Sequence, residues 1–390
     1  MRLHENVHRI IFRLLSLSIV ALGFGAAPLP AQLSTDDHLA EPGFWPTKSA
    51  KSLAEFAGSA ACAECHQTIA ASQFQTSMAK GLLRAEESKL LDSRVPLQFT
   101  RGEFHYEIAK VSGKVLYSAA GQSQKRTAEL RWAFGTGRVA QSYLFKESGG
   151  YHEARVTFFS SLKNLHITPA REISAAQSLS EAMERRVPDS EIRRCFACHS
   201  TQAIVNDRFD ETKLVPGVAC EACHGPGAKH VAAMQAAKVA GVAATRGEYI
   251  FNPARLGAAD AVDFCGGCHS AFWDVKLSGV KGVANVRAQP YRLESSKCWG
   301  TGDARLRCAA CHDPHKEVRS DAAAYDGACL SCHRASSAQA ADAQHAAKAC
   351  PTAANNCTTC HMPKIEIPFM HDTFTDHKIQ IAKAGQSYVE

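Results

Sequence analysis

Short apolar segments in which polar residues alternate fill the chain between about residues 97 and 168. Five of these segments are rich in aromatic and β-branched residues, and turn signals such as Ser112-Gly113 and Gly149-Gly150 separate them. This pattern is typical of antiparallel strands joined by tight turns. We therefore predict a module of five or six strands, with segments at 104–108, 115–117, 130–134, 143–145 and 155–159. The next stretch predicts a helix over 174–186 that ends before Pro188.

The N-terminal segment has a different pattern. Three arginines within residues 1–13 precede an apolar run over 14–27, and small residues follow near Ala31. A basic, then apolar, then small-residue order is typical of a secretory signal peptide. An uncleaved membrane anchor is the alternative, but the apolar run is short for a membrane span. We expect an exported protein, periplasmic or otherwise outside the cytoplasm, with no membrane span in the mature chain.

Fourteen of the 16 cysteines belong to seven copies of Cys-x-x-Cys-His. Two thiols three residues apart lie on one helical face, where they can form thioethers with a porphyrin, and the next histidine can ligate its iron. We number these haem sites 1 to 7 in chain order. Their residues are Cys62, Cys65 and His66; Cys195, Cys198 and His199; Cys220, Cys223 and His224; Cys265, Cys268 and His269; Cys308, Cys311 and His312; Cys329, Cys332 and His333; and Cys357, Cys360 and His361.

Structural zinc also uses Cys-x-x-Cys pairs, but it does not require a histidine directly after every second cysteine. With 18 histidines in 390 residues, seven such repeats by chance are negligible. We therefore predict seven covalently attached haem c groups, and the export signal agrees with attachment outside the cytoplasm. The two remaining cysteines, Cys298 and Cys350, either form a disulfide or stay as buried free thiols.

The motifs are unevenly distributed along the chain. One lies near residue 62, and the other six fall within 195–361, which leaves fewer than 30 residues for each haem. This length of chain is too short to build an ordinary hydrophobic core from side chains. We therefore expect the porphyrins to form the core. We predict a mainly α fold with little regular structure, organised around haems as a multihaem cytochrome c fold, and a small antiparallel β module between haem 1 and haem 2. The predicted divisions are a signal peptide (1–31), a leader with haem 1 (32–96), the β module (97–168) and a six-haem domain (169–390).

The second axial ligand of each haem decides whether its iron is closed or open to a substrate. Nine histidines lie outside the motifs in the mature chain. The favoured distal ligands, from their positions after turns or on Ala-rich segments beside motifs, are His230, His315, His345, His371 and His377. Three histidines of the β module, at 105, 152 and 166, are read equally well as ordinary polar residues. Met78 is an alternative ligand for haem 1, and Met362 is predicted to contact a haem.

Several segments also resemble the multihaem cytochromes related to the tetrahaem cytochrome of nitrifying bacteria and, more distantly, to hydroxylamine oxidoreductase. The segments are Gly58-Ser-Ala-Ala-Cys-Ala-Glu-Cys-His66, Cys220-Glu-Ala-Cys-His-Gly-Pro-Gly-Ala-Lys-His230, Cys308-Ala-Ala-Cys-His-Asp-Pro-His315 and Cys357-Thr-Thr-Cys-His-Met-Pro-Lys364. The resemblance implies mainly bis-His haems stacked in close pairs, with His230 and His315 as distal ligands. All seven motifs end in His, so the Cys-x-x-Cys-Lys site of the related pentahaem nitrite reductase is absent, and no catalytic residue is carried over.

The sequence favours electron transfer between unidentified redox partner proteins. The alternative is a reductase or oxidoreductase that acts on a small nitrogen or sulfur compound at one open haem, most readily haem 1. The formal charge of +6 falls to about +4 without residues 1–31 and is offset by roughly fourteen haem propionates. Lys and Arg are scattered, which argues against a nucleic-acid partner. The oligomeric state and the catalytic status stay open.

Overall fold

A computed structural model describes residues 50–169, 171, 175–206, 208–243, 247, 249–299, 305–333 and 350–380. The predicted signal peptide, most of the leader, and His345 lie outside these residues. The α-helices of the described part are α1 Ser59–Cys65, α2 Gln67–Gln73, α3 Lys89–Arg94, α4 Leu179–Met183, α5 Asp189–His199, α6 Cys220–His224, α7 Ala228–Ala240, α8 Ala258–His269, α9 Phe272–Ser278, α10 Gln289–Glu294, α11 Cys308–Cys311, α12 Asp326–His333 and α13 Cys357–His361.

The largest element is a curled antiparallel sheet of ten strands, in the order β10-β7-β6-β5-β4-β3-β2, with β1 paired to β5 and β8 paired to both β6 and β9. The prediction of a mainly α fold with a small β module is therefore wrong. The strands are β1 Leu82–Arg84, β2 Leu97–Arg101, β3 Phe104–Val111, β4 Lys114–Gly121, β5 Gln124–Phe134, β6 Ala140–Glu147, β7 Gly150–Ala154, β8 Val156–Phe159, β9 Asn164–Ile167 and β10 Glu184–Arg186.

The alternation of side chains explains why this stretch forms strands. Along β3, Phe104, Tyr106 and Ile108 point into the core, while His105 points to solvent. Ser112 and Gly113 both have positive φ angles, of 50° and 84°, as the tight turn between β3 and β4 requires. Buried side chains from β2 to β9 pack together with the inner face of α4 and form the main apolar core of the described chain.

The helix predicted over 174–186 is only partly formed. Ser178 caps α4, which buries Leu179, Ala182 and Met183, but the chain then turns into β10 along the outer edge of β7. Arg185 lies opposite Glu153 in this register, and their side chains form an ion pair of 3.0 Å. Edge pairing satisfies the backbone groups of β7, and this gain overrides the helix propensity of Glu-Arg-Arg.

After β10, the described residues form short helices, loops and three two-stranded ladders. The ladders pair β11 Ser200–Thr201 with β14 Val215–Pro216, β12 Ile204–Val205 with β13 Arg208–Phe209, and β15 Lys364–Ile367 with β16 Asp372–Thr375. Phe159 of the large sheet packs with Val286, Ile367 and Met370, so the sheet and the last ladder share an apolar contact. In the described part of the chain, no helix is long and apolar enough to cross a membrane.

Candidate haem sites

Every Cys-x-x-Cys-His motif lies at the C-terminal end of a short helix. Each of these helices ends at the second cysteine of the motif or at the histidine that follows it; they are α1, α5, α6, α8, α11, α12 and α13. A helical turn places the two thiols on one side of the helix, and the helix end releases the histidine toward the same side. This local geometry is suited to covalent haem attachment at all seven motifs.

Three motif histidines have their rings fixed by a backbone carbonyl. The Nδ1 atom lies 3.2 Å from the Gly81 carbonyl in His199, 2.9 Å from that of Phe251 in His224, and 2.7 Å from that of Gln380 in His361. A carbonyl only accepts hydrogen bonds, so Nδ1 must carry the proton and Nε2 keeps its lone pair. That tautomer is the one that binds a metal through Nε2, and the carbonyl contact raises its basicity.

Desolvation by the surrounding chain also favours the neutral form of three motif imidazoles. Desolvation is the main cause that lowers the pKa of His199, His269 and His312. His269 lies close enough to both of the others for their charges to lower its pKa further. Because only an uncharged imidazole has a lone pair to donate, these environments suit iron ligation at pH 7.

In two pairs of histidines, the imidazole rings face each other across a gap that is wide enough for one iron ion bound to both rings. The rings of His224 and His315 are nearly parallel, 5° apart, with centroids separated by 6.1 Å. Those of His312 and His377 are tilted by 37° with centroids 6.2 Å apart. One metal between two imidazoles, with bonds of about 2 Å and ring centres about 1 Å further out, spans about 6 Å. Both pairs therefore fit a haem iron with a histidine on each side.

Local hydrogen bonds hold the two non-motif histidines of these pairs. The Asp313 carboxylate accepts from the His315 backbone N–H at 3.0 Å, which forms a tight turn through Pro314. His377 Nδ1 lies 3.1 Å from the Thr375 carbonyl, and burial, followed by the nearby charge of His312, lowers the pKa of His377 to about 4. The His377 ring is therefore neutral over the physiological range.

The other candidate ligands have different surroundings. His371 Nε2 lies 3.1 Å from Nδ1 of His166, and its ring packs edge-on against Phe159 at 4.8 Å. His230 lies in the first turn of α7. Met78 lies in a turn after α2, and Met362 directly follows α13.

The first cysteines of three pairs of motifs lie close together. The thiols of Cys62 and Cys220, of Cys265 and Cys308, and of Cys329 and Cys357 are near enough to influence each other's pKa. These contacts place attachment points of sites 1 and 3, of 4 and 5, and of 6 and 7 side by side. Of the two cysteines outside the motifs, Cys298 is half-buried and Cys350 is exposed.

Further contacts connect the pairs to each other. Cys223 of site 3 lies close enough to Cys265 of site 4 to influence its pKa, and Cys329 of site 6 does the same to Cys311 of site 5. Cys198 of site 2 donates to the Gly267 carbonyl inside the site 4 motif at 3.6 Å. The sites thus form the succession 1-3-4-5-6-7, with site 2 beside site 4.

Two carboxylates that position these helices were missed in the sequence. Glu221, between the cysteines of site 3, is 2% exposed and accepts from the backbone N–H groups that precede α1, and Asp326 of α12 accepts from Asn356 and Cys357 at the start of α13. An acidic residue in a haem motif carries no sequence signal for such a role, because its partners are backbone groups far away along the chain.

One protein-family model matches part of the chain. The family described as Cytochrome c554 and c-prime matches residues 151–225, which include the motifs of sites 2 and 3 and the strands that precede them. Comparisons with curated proteins and with solved structures gave no match. The family match and the motif geometry support a c-type cytochrome that carries covalently bound haem c and transfers electrons.

Proposed function

We propose that this chain is an exported heptahaem c-type cytochrome that relays electrons between redox partner proteins. The observation that carries the proposal is the unbroken succession of haem sites, in which each motif touches or closely approaches the next. Haems attached at these points come within tunnelling reach of one another. The three pairs of neighbouring thiols agree with the stacked haem pairs that the resemblance implies.

The facing imidazoles support the same role. A haem with a histidine on both sides has no open position for a substrate, so it can only gain and lose an electron. His224 with His315 closes haem 3, and His312 with His377 closes haem 5. These two haems lie inside the succession, where electrons pass through without chemistry.

Haem 1 favours the second candidate function, a reductase or oxidoreductase that acts on a small nitrogen or sulfur compound. His66 of this site is exposed, and so is the second cysteine of its motif, Cys65. No ring contact joins His66 to another imidazole within the described residues. A haem at the surface with an open iron face could bind such a small molecule.

Carbon monoxide binding to the purified holoprotein tests the two functions. The reduced protein is titrated with carbon monoxide while its absorbance is followed, and the oxidised protein is examined by low-temperature EPR. The relay predicts seven haems per chain, low-spin signals and no carbon monoxide adduct. An adduct on about one haem in seven, with a matching high-spin ferric signal, would instead favour the enzyme.

A further inference from the structure

The segment 376–380 directly after β16 contributes to two haem sites at once. His377 presents its ring to His312 of site 5, with ring centroids 6.2 Å apart. Three residues later, the Gln380 carbonyl lies 2.7 Å from Nδ1 of His361, the motif histidine of site 7. We call residues 376–380 the ligand strap, because one short stretch of backbone determines the surroundings of both histidines.

A buried ion pair fixes the beginning of the ligand strap. Arg292 of α10 donates from Nε to Asp376 Oδ1 at 2.7 Å and from Nη2 to Oδ2 at 2.6 Å, and the two side chains are 0% and 1% exposed. A two-pronged guanidinium–carboxylate contact fixes both distance and orientation. Since water cannot replace either partner at this depth, the geometry is held firmly.

Ser296, four residues after Arg292, holds the middle of the strap. Its Oγ accepts from the Ile379 backbone N–H at 2.8 Å and lies 3.4 Å from the His377 carbonyl. Asp376 Oδ1 also accepts from the Lys378 N–H at 3.0 Å. The backbone on both sides of His377 is therefore tied to the segment that begins with α10.

We propose that Arg292 is a positioning residue which, through Asp376, holds the ligand strap so that His377 closes haem 5 and the Gln380 carbonyl orients His361 at haem 7. The inference rests on the proposed function, in which His377 is an iron ligand. An axial histidine keeps its place only if its backbone is fixed, and a carbonyl on Nδ1 tunes the ligand's basicity. One ion pair thus acts on two haems at the same end of the succession.

The test uses the purified holoprotein with all seven haems attached. In R292M the carbon monoxide-reactive fraction should rise above that of the unaltered protein by about one haem in seven, with a matching high-spin ferric signal. R292K keeps the charge but loses the two-pronged contact, so its rise should be smaller. In a redox titration, R292M should also shift the midpoint potential of one further low-spin haem, that of site 7. A seven-haem R292M protein with unaltered carbon monoxide binding and EPR would overturn the proposal.

Two further variants separate the possible failures. H377A removes the proposed ligand itself, and if it leaves carbon monoxide binding unaltered, the assignment of haem 5 in the proposed function fails and the inference with it. If H377A opens one haem and R292M opens none, only the positioning role of Arg292 fails. If R292M does not yield a seven-haem protein, S296A decides, since it removes one neutral hydroxyl: a partial rise supports the proposal and no rise overturns it.

R126M is the matched control, because Arg126 forms ion pairs with Glu147 and Glu184 within the large sheet. It should leave carbon monoxide binding and EPR unaltered. A rise in R126M equal to that in R292M would show a general effect of lost ion pairs and would overturn the specific role of Arg292.

Discussion

The Glu221 carboxylate accepts a hydrogen bond from the Gly58 backbone N–H at 2.9 Å. Its other oxygen accepts from Ala57 and from Gly227, both at 2.8 Å. Glu221 belongs to the motif of haem 3, while Gly58 is the residue directly before α1, which carries the motif of haem 1. One buried side chain therefore fixes the relative position of two haem sites whose first cysteines lie close together.

Replacing Glu221 with glutamine should destabilise the holoprotein. The amide group keeps one acceptor oxygen but turns an N–H₂ group toward backbone donors, which leaves buried polar groups unsatisfied. The expected loss in the free energy of unfolding is about 1–3 kcal/mol. Denaturant unfolding followed through haem absorbance measures it. Glu64→Gln, at an exposed position inside the motif of haem 1, is the matched control and should stay within about 0.5 kcal/mol. Equal losses of unfolding free energy in the two variants would contradict the role of Glu221 in holding haem sites 1 and 3 together.

Phe196 anchors haem site 2 to the sheet. This motif residue is fully buried, and its ring lies 5.6 Å from Trp132, 5.3 Å from Phe134 and 4.6 Å from Phe209. Phe196→Ala should cost about 3–5 kcal/mol of unfolding free energy, because a large cavity opens among rings that cannot close it.

The control for this prediction is Phe74→Ala, since Phe74 is 38% exposed and loses less burial than the fully buried Phe196. Thermal unfolding of both holoproteins should give a clearly lower melting temperature only for Phe196→Ala. If Phe196→Ala unfolds like the unaltered protein, the contact between site 2 and the sheet contributes little to stability.

The local pattern in the sequence was sufficient for the inner strands of the sheet. The segments predicted at 104–108, 115–117, 130–134 and 143–145 lie in β3, β4, β5 and β6, because aromatic alternation and turn residues are local signals. The size of the sheet was underestimated, since β1 and β10 come from outside the predicted module. Their membership depends on open strand edges elsewhere, and Glu-Arg-Arg at β10 carries no strand signal of its own.

The candidate sites show the same limit. The motif spacing alone predicts the haem-binding cysteines and histidines, and the structure places them at the ends of seven helices. Which sites touch, and which histidines face each other, depends on contacts between residues far apart, such as His224 with His315 or Arg292 with Asp376, which are 84 residues apart. A single sequence contains no record of such pairs, and a buried arginine looks the same in it as an exposed one.

The contact between His166 and His371 should make stability depend on pH. Burial, then the nearby charges of His371 and Arg101, lowers the pKa of His166 below its usual value of 6.5. The folded protein therefore binds fewer protons than the unfolded chain, so stability is full above about pH 6.5 and falls as the pH drops toward the folded-state pKa. His166→Phe should flatten the pH dependence of the unfolding free energy between about pH 7 and 5. His105→Phe, at an exposed position on β3, is the control, and an equal flattening there would contradict the assignment to His166.

His315→Met should raise the midpoint potential of one haem. A methionine on the far side of the iron from His224 stabilises the ferrous form more than a second histidine does, so one of the seven midpoints should move upward within the range of about 0.8 V that axial ligands control. Spectroelectrochemical titration of the holoprotein measures the shift, and near-infrared absorption identifies the new methionine ligand. His105→Met is the control, because His105 bonds with Thr100 on the sheet and should leave all midpoints in place. If His315→Met leaves every potential unaltered, the parallel rings of His224 and His315 do not enclose a haem iron, and haem 3 takes its second ligand from elsewhere.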